Sequence, residues 1–248
     1  MSISEREAER LDAEFQRTQP ALCGYSKKSA QKFISAWYHL FRIMEREKKM
    51  TDHLGIGFLD WQIVNWANDA VDLARGANLY EDLIRINKQI LAIHWDDDEE
   101  NLMHENAKRE IADAYAGMDR MDECLRLYEE YLKEDPLWGW GWIGYFRQLK
   151  NANEERFQAT LDDLFQKIES GTEFRDLVDL LREMGDEVEE LGNQELADRL
   201  HKQGHELYQK KRQASLESMR KLRAELMENM AKMNYLKKLI NEYKQNNP

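Results

Sequence analysis

The chain has 248 residues, a formal net charge of −12 and 42% hydrophobic residues, and it is long enough to bury roughly 75% of its unfolded surface in a core. Its two cysteines are too few for a disulfide-stapled secreted scaffold. No segment reaches the roughly 20 apolar residues of a membrane span, and the charged first residues do not match a secretory signal. We therefore expect a cytoplasmic protein with reduced thiols and no membrane contact.

Helix-forming residues dominate the whole chain. Only three prolines and 12 glycines interrupt long segments rich in Ala, Leu, Glu, Lys and Arg. Alternating runs of Val, Ile and Thr, which are typical of strands, are absent from the sequence. The sequence therefore predicts an all-α protein.

The first segment, residues 1–55, is helical in pattern but carries no repeat. Ser4 and Glu7 have the spacing of a capping box, which predicts that a helix begins there. Aromatic residues further on recur every four positions and predict a buried helix face: Phe33, Trp37 and Phe41. We interpret this segment as an N-terminal helical cap or an irregular extra helix pair, separated from the repeats by a hinge at residues 55–57.

An acidic run lies between His94 and His104. Carboxylates and imidazoles are ligands for divalent ions, so a metal site is one interpretation. The acids also fall where a helix begins, and there the helix dipole and capping favour Asp and Glu without any metal. We favour the capping interpretation, and the sequence predicts no metal site, no cofactor and no catalytic residue.

The stretch from Lys108 to Trp142 carries a repeat signature. Small and aromatic residues alternate at fixed offsets on two successive helices, and a proline closes the unit: Ala112, Tyr115, Cys124, Tyr128, Tyr131 and Pro136. This pattern resembles a tetratricopeptide repeat and is similar to that of uncharacterised bacterial repeat proteins. A fair second copy begins near Val178, and two weaker copies lie near Tyr80 and Gly139. The resemblance implies a right-handed α-solenoid of helical hairpins over residues 56–205.

The resemblance also implies a concave groove that binds a peptide. In the repeat register, the groove-facing positions are Asn106, Arg109, Asp113, Trp140, Arg147 and Lys150. Trp140 is the predicted aromatic anchor, and the arginines and Lys150 would complement an acidic segment. Asp113 stands where members that clamp a terminal carboxylate need an asparagine, so the resemblance does not imply binding of a free C-terminus.

The last segment, residues 206–248, predicts one long helix with a seven-residue apolar repeat. The two seam positions are occupied by Met219, Leu226, Met233 and Ile240 and by Leu222, Asn229, Leu236 and Tyr243. Two interpretations remain open for this helix. It could pair with a second copy as a coiled coil, or it could fold back and cover the last repeat.

Charge is distributed unevenly along the chain. From Arg199 to the end there are 12 Lys or Arg against 5 Asp or Glu, whereas the preceding residues have 24 against 43. An acidic body repels phosphate backbones, which makes nucleic acid an unfavoured partner. We expect a non-catalytic adaptor that binds a protein or peptide in its groove. The alternatives are a nucleic-acid-associated regulator using the basic last helix and, third, a metal enzyme using the His94 to His104 cluster.

Overall fold

The computed structural model of this chain describes residues 4–18, 26–55, 57–96 and 102–246. These residues form helices joined by short turns, with one isolated β-bridge and no strand among them, so the predicted all-α fold is confirmed. The helices are α1 (Glu5–Thr18), α2 (Lys27–Glu47), α3 (Gly57–Gly76), α4 (Tyr80–Leu91), α5 (Leu102–Gly117), α6 (Met121–Glu134), α7 (Gly139–Ala152), α8 (Glu154–Glu169), α9 (Leu177–Glu190) and α10 (Gln194–Asn246).

The chain divides into two compact units, Met1–Arg175 and Asp176–Pro248. In the first unit each helix packs against the next one along the chain, and α5 also packs against α7. In the second unit α9 packs against α10. The predicted divisions after residues 55 and 205 stay predictions, and the second of them falls inside α10.

The N-terminal helices are joined by a polar cap and an aromatic core. The Ser4 hydroxyl accepts a hydrogen bond from the Glu7 N–H at 3.3 Å, as the capping-box spacing predicts. The Glu7 carboxylate instead receives two hydrogen bonds from Arg46, at 2.9 and 3.0 Å, and so ties α1 to the end of α2. The rings of Phe15 and Trp66 stack with their centroids 4.0 Å apart.

The same turn geometry ends five of the described helices, and in three of these turns the next helix begins two residues after the left-handed residue. Asn78, Asp119 and Gly192 each adopt a left-handed conformation, with φ of 53°, 59° and 82°. Each N–H bonds to the carbonyl three residues earlier, and the following N–H bonds to the carbonyl five residues before itself. This is the Schellman arrangement that ends helices. The turns therefore repeat along the chain together with the helical hairpins.

Close helix packing in the first unit depends on glycine. A Cβ added at Gly144 of α7 would lie inside van der Waals contact of the Tyr128 hydroxyl on α6. A Cβ at Gly117 would likewise lie 2.6 Å from Cζ of Tyr80. The sequence from Gly139 onward matches the G-x-G-x-x-G motif of dinucleotide-binding loops, but it lies inside helix α7. Because such a loop must follow a strand, this motif is not a dinucleotide-binding loop.

The second unit shows one uninterrupted last helix. The 53-residue helix α10 continues through Gly204, which is buried, and a Cβ added there would lie 3.4 Å from Cβ of Leu181 on α9. Residues further along lose this contact, and their large apolar side chains are exposed: Leu216, Met219, Leu222, Leu226, Met227, Met230 and Met233. Across the described helices, none combines the length and the apolar character needed to cross a lipid bilayer.

Candidate functional site

Helices α5 and α7 carry all six residues that the sequence predicts for the groove. Asn106, Arg109 and Asp113 follow one another on α5 at spacings of three and four, which places them on one side of that helix. Trp140, Arg147 and Lys150 lie on α7. Because α5 packs directly against α7, residues that are far apart in the sequence can meet across the two helices.

The structure brings Arg109 and Trp140 together. The guanidinium carbon of Arg109 lies 4.9 Å from the centroid of the Trp140 ring, and both side chains are half-buried. A guanidinium at this distance over an indole face makes a favourable cation–π contact. Arg109 Nε is buried and has no hydrogen-bond partner among the described residues. We call this pair and the exposed Arg147 the α5–α7 face.

Asp113 forms a polar junction between three helices. Its Oδ1 accepts hydrogen bonds from the Tyr128 hydroxyl at 2.7 Å and from Gln148 Nε2 at 3.1 Å. Burial raises the pKa of Asp113, although these two hydrogen bonds and the charges of Arg109 and Arg147 act in the opposite direction. The carboxylate is therefore committed to holding α5, α6 and α7 together.

The same buried environment raises the pKa values of the neighbouring aromatic hydroxyl and thiol groups. Burial, followed by the charge of Asp113, raises the pKa of Tyr128 well above its ordinary value. The same two causes raise the pKa of the buried Cys124 thiol to about 12. Because the thiolate is the reactive form, Cys124 is suited to packing and unsuited to nucleophilic chemistry at neutral pH.

Asn106 also lines a cavity next to α5. The cavity has a volume of about 460 Å³ and lies between α3, α4 and α5. Its polar lining includes the buried Asn87, whose Nδ2 donates to the Leu83 carbonyl at 2.8 Å. At its edge Arg75 forms two hydrogen bonds with Glu110, at 2.5 and 3.0 Å. Asn106 therefore extends the polar surface of α5 toward α3.

The remaining two predicted residues, Arg147 and Lys150, differ in exposure. Arg147 is exposed on α7, and its charge reaches Asp113 strongly enough to oppose the rise in that pKa. Lys150 is half-buried one turn further along the same helix. The α5–α7 face thus combines an aromatic ring with positive charge.

Sequence reasoning missed the polar residues that lie around α5. Tyr128 is a predicted packing residue, but nothing in the pattern indicates that its hydroxyl meets Asp113. Gln148 and the buried Asn87 have no sequence signal beyond a polar residue within an apolar helix face. Such a residue, once buried, must find a partner, and this is the signal that could have indicated them.

The acidic run is only partly described, because residues 97–101 lie outside the described residues. His104 and His94, which the metal interpretation places together, have different partners. His104 Nε2 lies 3.0 Å from the Ile93 carbonyl oxygen, and His94 Nε2 lies 3.3 Å from Asp96 Oδ1.

No protein-family model fits the chain, and no curated protein is detectably similar to it.

Proposed function

We propose that this protein is a cytoplasmic, non-catalytic adaptor that binds an acidic segment of another protein on the α5–α7 face. In this proposal the helical hairpins belong to the tetratricopeptide type and follow one another as a right-handed solenoid. The observation that carries the proposal is the contact between Arg109 and Trp140, which holds a half-buried indole ring beside positive charge.

The energetics of protein interfaces support this assignment. Tryptophan and arginine are the residue types that most often dominate binding energy, and they do so when held rigidly in well-packed surroundings. Trp140 lies in the first turn of α7 between two helical glycines, and Gly141 is covered by the buried Trp138 ring. The ring is therefore presented from a packed helix terminus, which reduces the entropy lost on binding.

The charges on the face favour an acidic ligand. Arg109, Arg147 and Lys150 contribute three positive charges against the single carboxylate of Asp113, which accepts hydrogen bonds from Tyr128 and Gln148. A segment with Asp or Glu beside an apolar side chain would meet both the cations and the ring. The proposal assigns Asp113 a positioning role and no direct contact with the ligand.

The test is a peptide selection with the full chain. Displayed random peptides would be selected on the immobilised protein, and the affinities of synthetic copies would be measured by fluorescence polarisation. We expect acidic peptides, and we expect Trp140→Ala to weaken their binding roughly 30-fold, since truncating an interface anchor costs about 2 kcal/mol. Arg147→Glu should also weaken binding.

Leu137→Ala is the matched control, because Leu137 is an exposed apolar side chain only three residues before Trp140. Its affinity should equal that of the wild type. Circular dichroism would confirm that all three variants keep their helices. Selected peptides that bind Trp140→Ala and Arg147→Glu as tightly as the wild type would refute the α5–α7 face as the binding site.

We propose in addition that the exposed stripe of α10 pairs with a second copy of the chain. Met219, Leu222 and Leu226 are 56%, 67% and 59% exposed although they occupy coiled-coil seam positions. Asn229 and Met233 continue the stripe and are also exposed, while the side chains of Leu236, Ile240 and Tyr243 lie outside the described residues. A helix that exposes this much apolar surface is stabilised by a partner that covers it.

A further inference from the structure

The single β-bridge among the described residues joins two short non-helical segments of the first unit. The first segment follows α2 and the second follows α4. The His94 N–H donates to the Met50 carbonyl at 2.8 Å, and the Asp52 N–H donates to the His94 carbonyl at 3.3 Å. These two hydrogen bonds set the two segments side by side in parallel, with Thr51 opposite His94.

This pairing brings three possible metal ligands, Asp52, His53 and Asp96, close together and places a fourth, His94, beside Asp96. Asp52 and His53 come from the first segment, and His94 and Asp96 come from the second. A carboxylate oxygen of Asp52, a ring nitrogen of His53 and a carboxylate oxygen of Asp96 all lie within 4.8 Å of one another. His53 Nδ1 lies 3.9 Å from Asp96 Oδ2, and His94 Nε2 lies 3.3 Å from Asp96 Oδ1.

Asp52 is buried, with 6% of its surface exposed. Its Oδ1 accepts the Asp96 N–H at 3.1 Å and the Thr51 hydroxyl at 3.4 Å. Both of these hydrogen bonds use the same oxygen, so a cation could bind Oδ2 without displacing either donor. A buried carboxylate carries a desolvation cost, which a bound cation would offset.

We propose that Asp52, His53, His94 and Asp96 form a binding site for a divalent transition-metal ion, with Zn²⁺ as the best fit. Zn²⁺ takes imidazole nitrogen and carboxylate oxygen at about 2.0–2.2 Å in a tetrahedral set, so its ligand atoms lie roughly 3.3 Å apart. The 3.3 Å from His94 Nε2 to Asp96 Oδ1 matches this spacing, whereas the 3.9 Å from His53 Nδ1 to Asp96 Oδ2 is longer, so the exposed His53 ring would move toward the carboxylate on binding.

The ligand types select among metals. Ca²⁺ and Mg²⁺ take oxygen ligands, so two imidazoles make those ions poor candidates. Mixed nitrogen and oxygen sets suit Zn²⁺, Co²⁺ and Ni²⁺. The two carboxylates also balance the charge of a divalent ion, which favours its retention.

A bound ion would join the end of α2 to the end of α4. The segments are already aligned by backbone hydrogen bonds, so the metal would add cross-links between side chains that lie more than 40 residues apart in the chain. An ion that binds only the folded state raises the thermal midpoint as its concentration rises. The site is therefore structural in this proposal, and it is independent of peptide binding at the α5–α7 face.

A second group of possible ligands, Asp186, Glu189 and His201, serves as an internal comparison. It has one imidazole, and both of its carboxylates are exposed. His201 Nε2 already lies 3.0 Å from Asp186 Oδ1, and its ring packs where a Cβ of Gly185 would lie. Helix packing explains this histidine, and we assign no metal to it.

The test uses the full chain without an affinity tag, after dialysis against a chelator. Zn²⁺ would be titrated by calorimetry, and Co²⁺ would be followed by its visible absorption, which reports tetrahedral coordination. We expect one equivalent with micromolar or tighter affinity and a higher thermal midpoint. The His53→Ala, His94→Ala double variant should weaken binding by at least about 10-fold.

Both histidines have exposed side chains, 64% and 81%, so the double variant should fold as the wild type does, and circular dichroism would confirm this. His201→Ala is the matched control and should bind Zn²⁺ as the wild type does. The proposal is overturned if the wild type binds no Zn²⁺, if the double variant keeps wild-type affinity, or if binding is lost in His201→Ala instead.

Discussion

Asp113 links three helices through hydrogen bonds, but placing its charged carboxylate among them carries a desolvation cost. Its half-buried carboxylate lies between α5, α6 and α7, where desolvation opposes ionisation. Both of its hydrogen-bond donors, Tyr128 and Gln148, reach the same oxygen, Oδ1. An asparagine carbonyl could accept both bonds without carrying a charge. The negative charge itself is therefore dispensable for this junction.

We predict that Asp113→Asn is at least as stable as the wild type at pH 7, whereas Asp113→Ala loses about 1–3 kcal/mol because two buried donors lose their acceptor. The pKa of Asp113 is higher in the folded state than in the unfolded state, so the folded protein retains that proton to higher pH. The contribution of Asp113 to stability is then greatest below the ordinary Asp pKa of about 3.9 and falls as pH rises through the raised pKa.

Urea unfolding of the wild type and Asp113→Asn across this pH range would measure the effect. The wild type should lose stability relative to Asp113→Asn as pH increases. If the difference in the free energy of unfolding between the two proteins stays constant with pH, or changes in the opposite direction, the prediction is contradicted.

Gly144 is the second residue whose identity the packing dictates. We predict that Gly144→Ala destabilises the protein by about 1–3 kcal/mol, since its Cβ would lie 2.7 Å from Cζ of Tyr128 and would force α6 and α7 apart. The measurement is the urea midpoint by circular dichroism. Gly204→Ala is the control, because a Cβ there has its nearest atom at 3.4 Å and the helix gains up to about 1 kcal/mol. Equal effects of the two substitutions would contradict the packing argument.

At the scale of elements, α10 combines two different environments in one continuous helix. Its first turns pack on α9, where Ala197 and Leu200 are buried, whereas its apolar residues from Leu216 to Met233 are exposed. Folding back and pairing with a second copy are alternative interpretations of the sequence. In the structure the first turns of α10 pack on α9 of the same chain. The seam residues of α10 whose side chains are described are exposed to solvent.

We predict that the full chain is a dimer in solution and that Leu222→Glu with Leu226→Glu makes it a monomer, because charges at seam positions cannot be buried between two helices. Light scattering at several concentrations would measure the mass. Ala224→Glu is the matched control, since Ala224 is exposed between the same two residues but lies off the seam. A monomeric wild type, or a dimer that survives the double substitution, would contradict the coiled-coil proposal.

At the scale of the whole molecule, the chain contains two compact units with different surfaces. The first carries the α5–α7 face, the cavity beside Asn106 and the proposed metal site. The second carries the apolar stripe of α10, in the basic part of the sequence. Binding to a peptide and self-association would thus use different units, and substitutions in one can be tested without altering the other.

The elements of this fold were predictable because they depend on local chemistry. Helical periodicity, few prolines and the repeat offsets from Lys108 to Trp142 predict helices and hairpins, and the structure confirms that the described residues are helical. The long last helix was also predictable, since it needs only the absence of breakers and a seven-residue pattern. Handedness, partner and binding site are not local properties, and for these the sequence offers only a resemblance.

The contacts at the proposed sites depend on how the helices pack. The amino-acid pattern alone specifies an all-helical chain with a candidate aromatic anchor at Trp140 and a heptad stripe near its end. Only the fold placed Arg109 over that ring, brought the Asp113 carboxylate to the Tyr128 hydroxyl, and set Asp52 and His53 beside Asp96. The physical reason is distance along the chain: helix formation is specified within a few residues, whereas these contacts join segments 15 to more than 40 residues apart, and their partners are determined by the packing of whole helices.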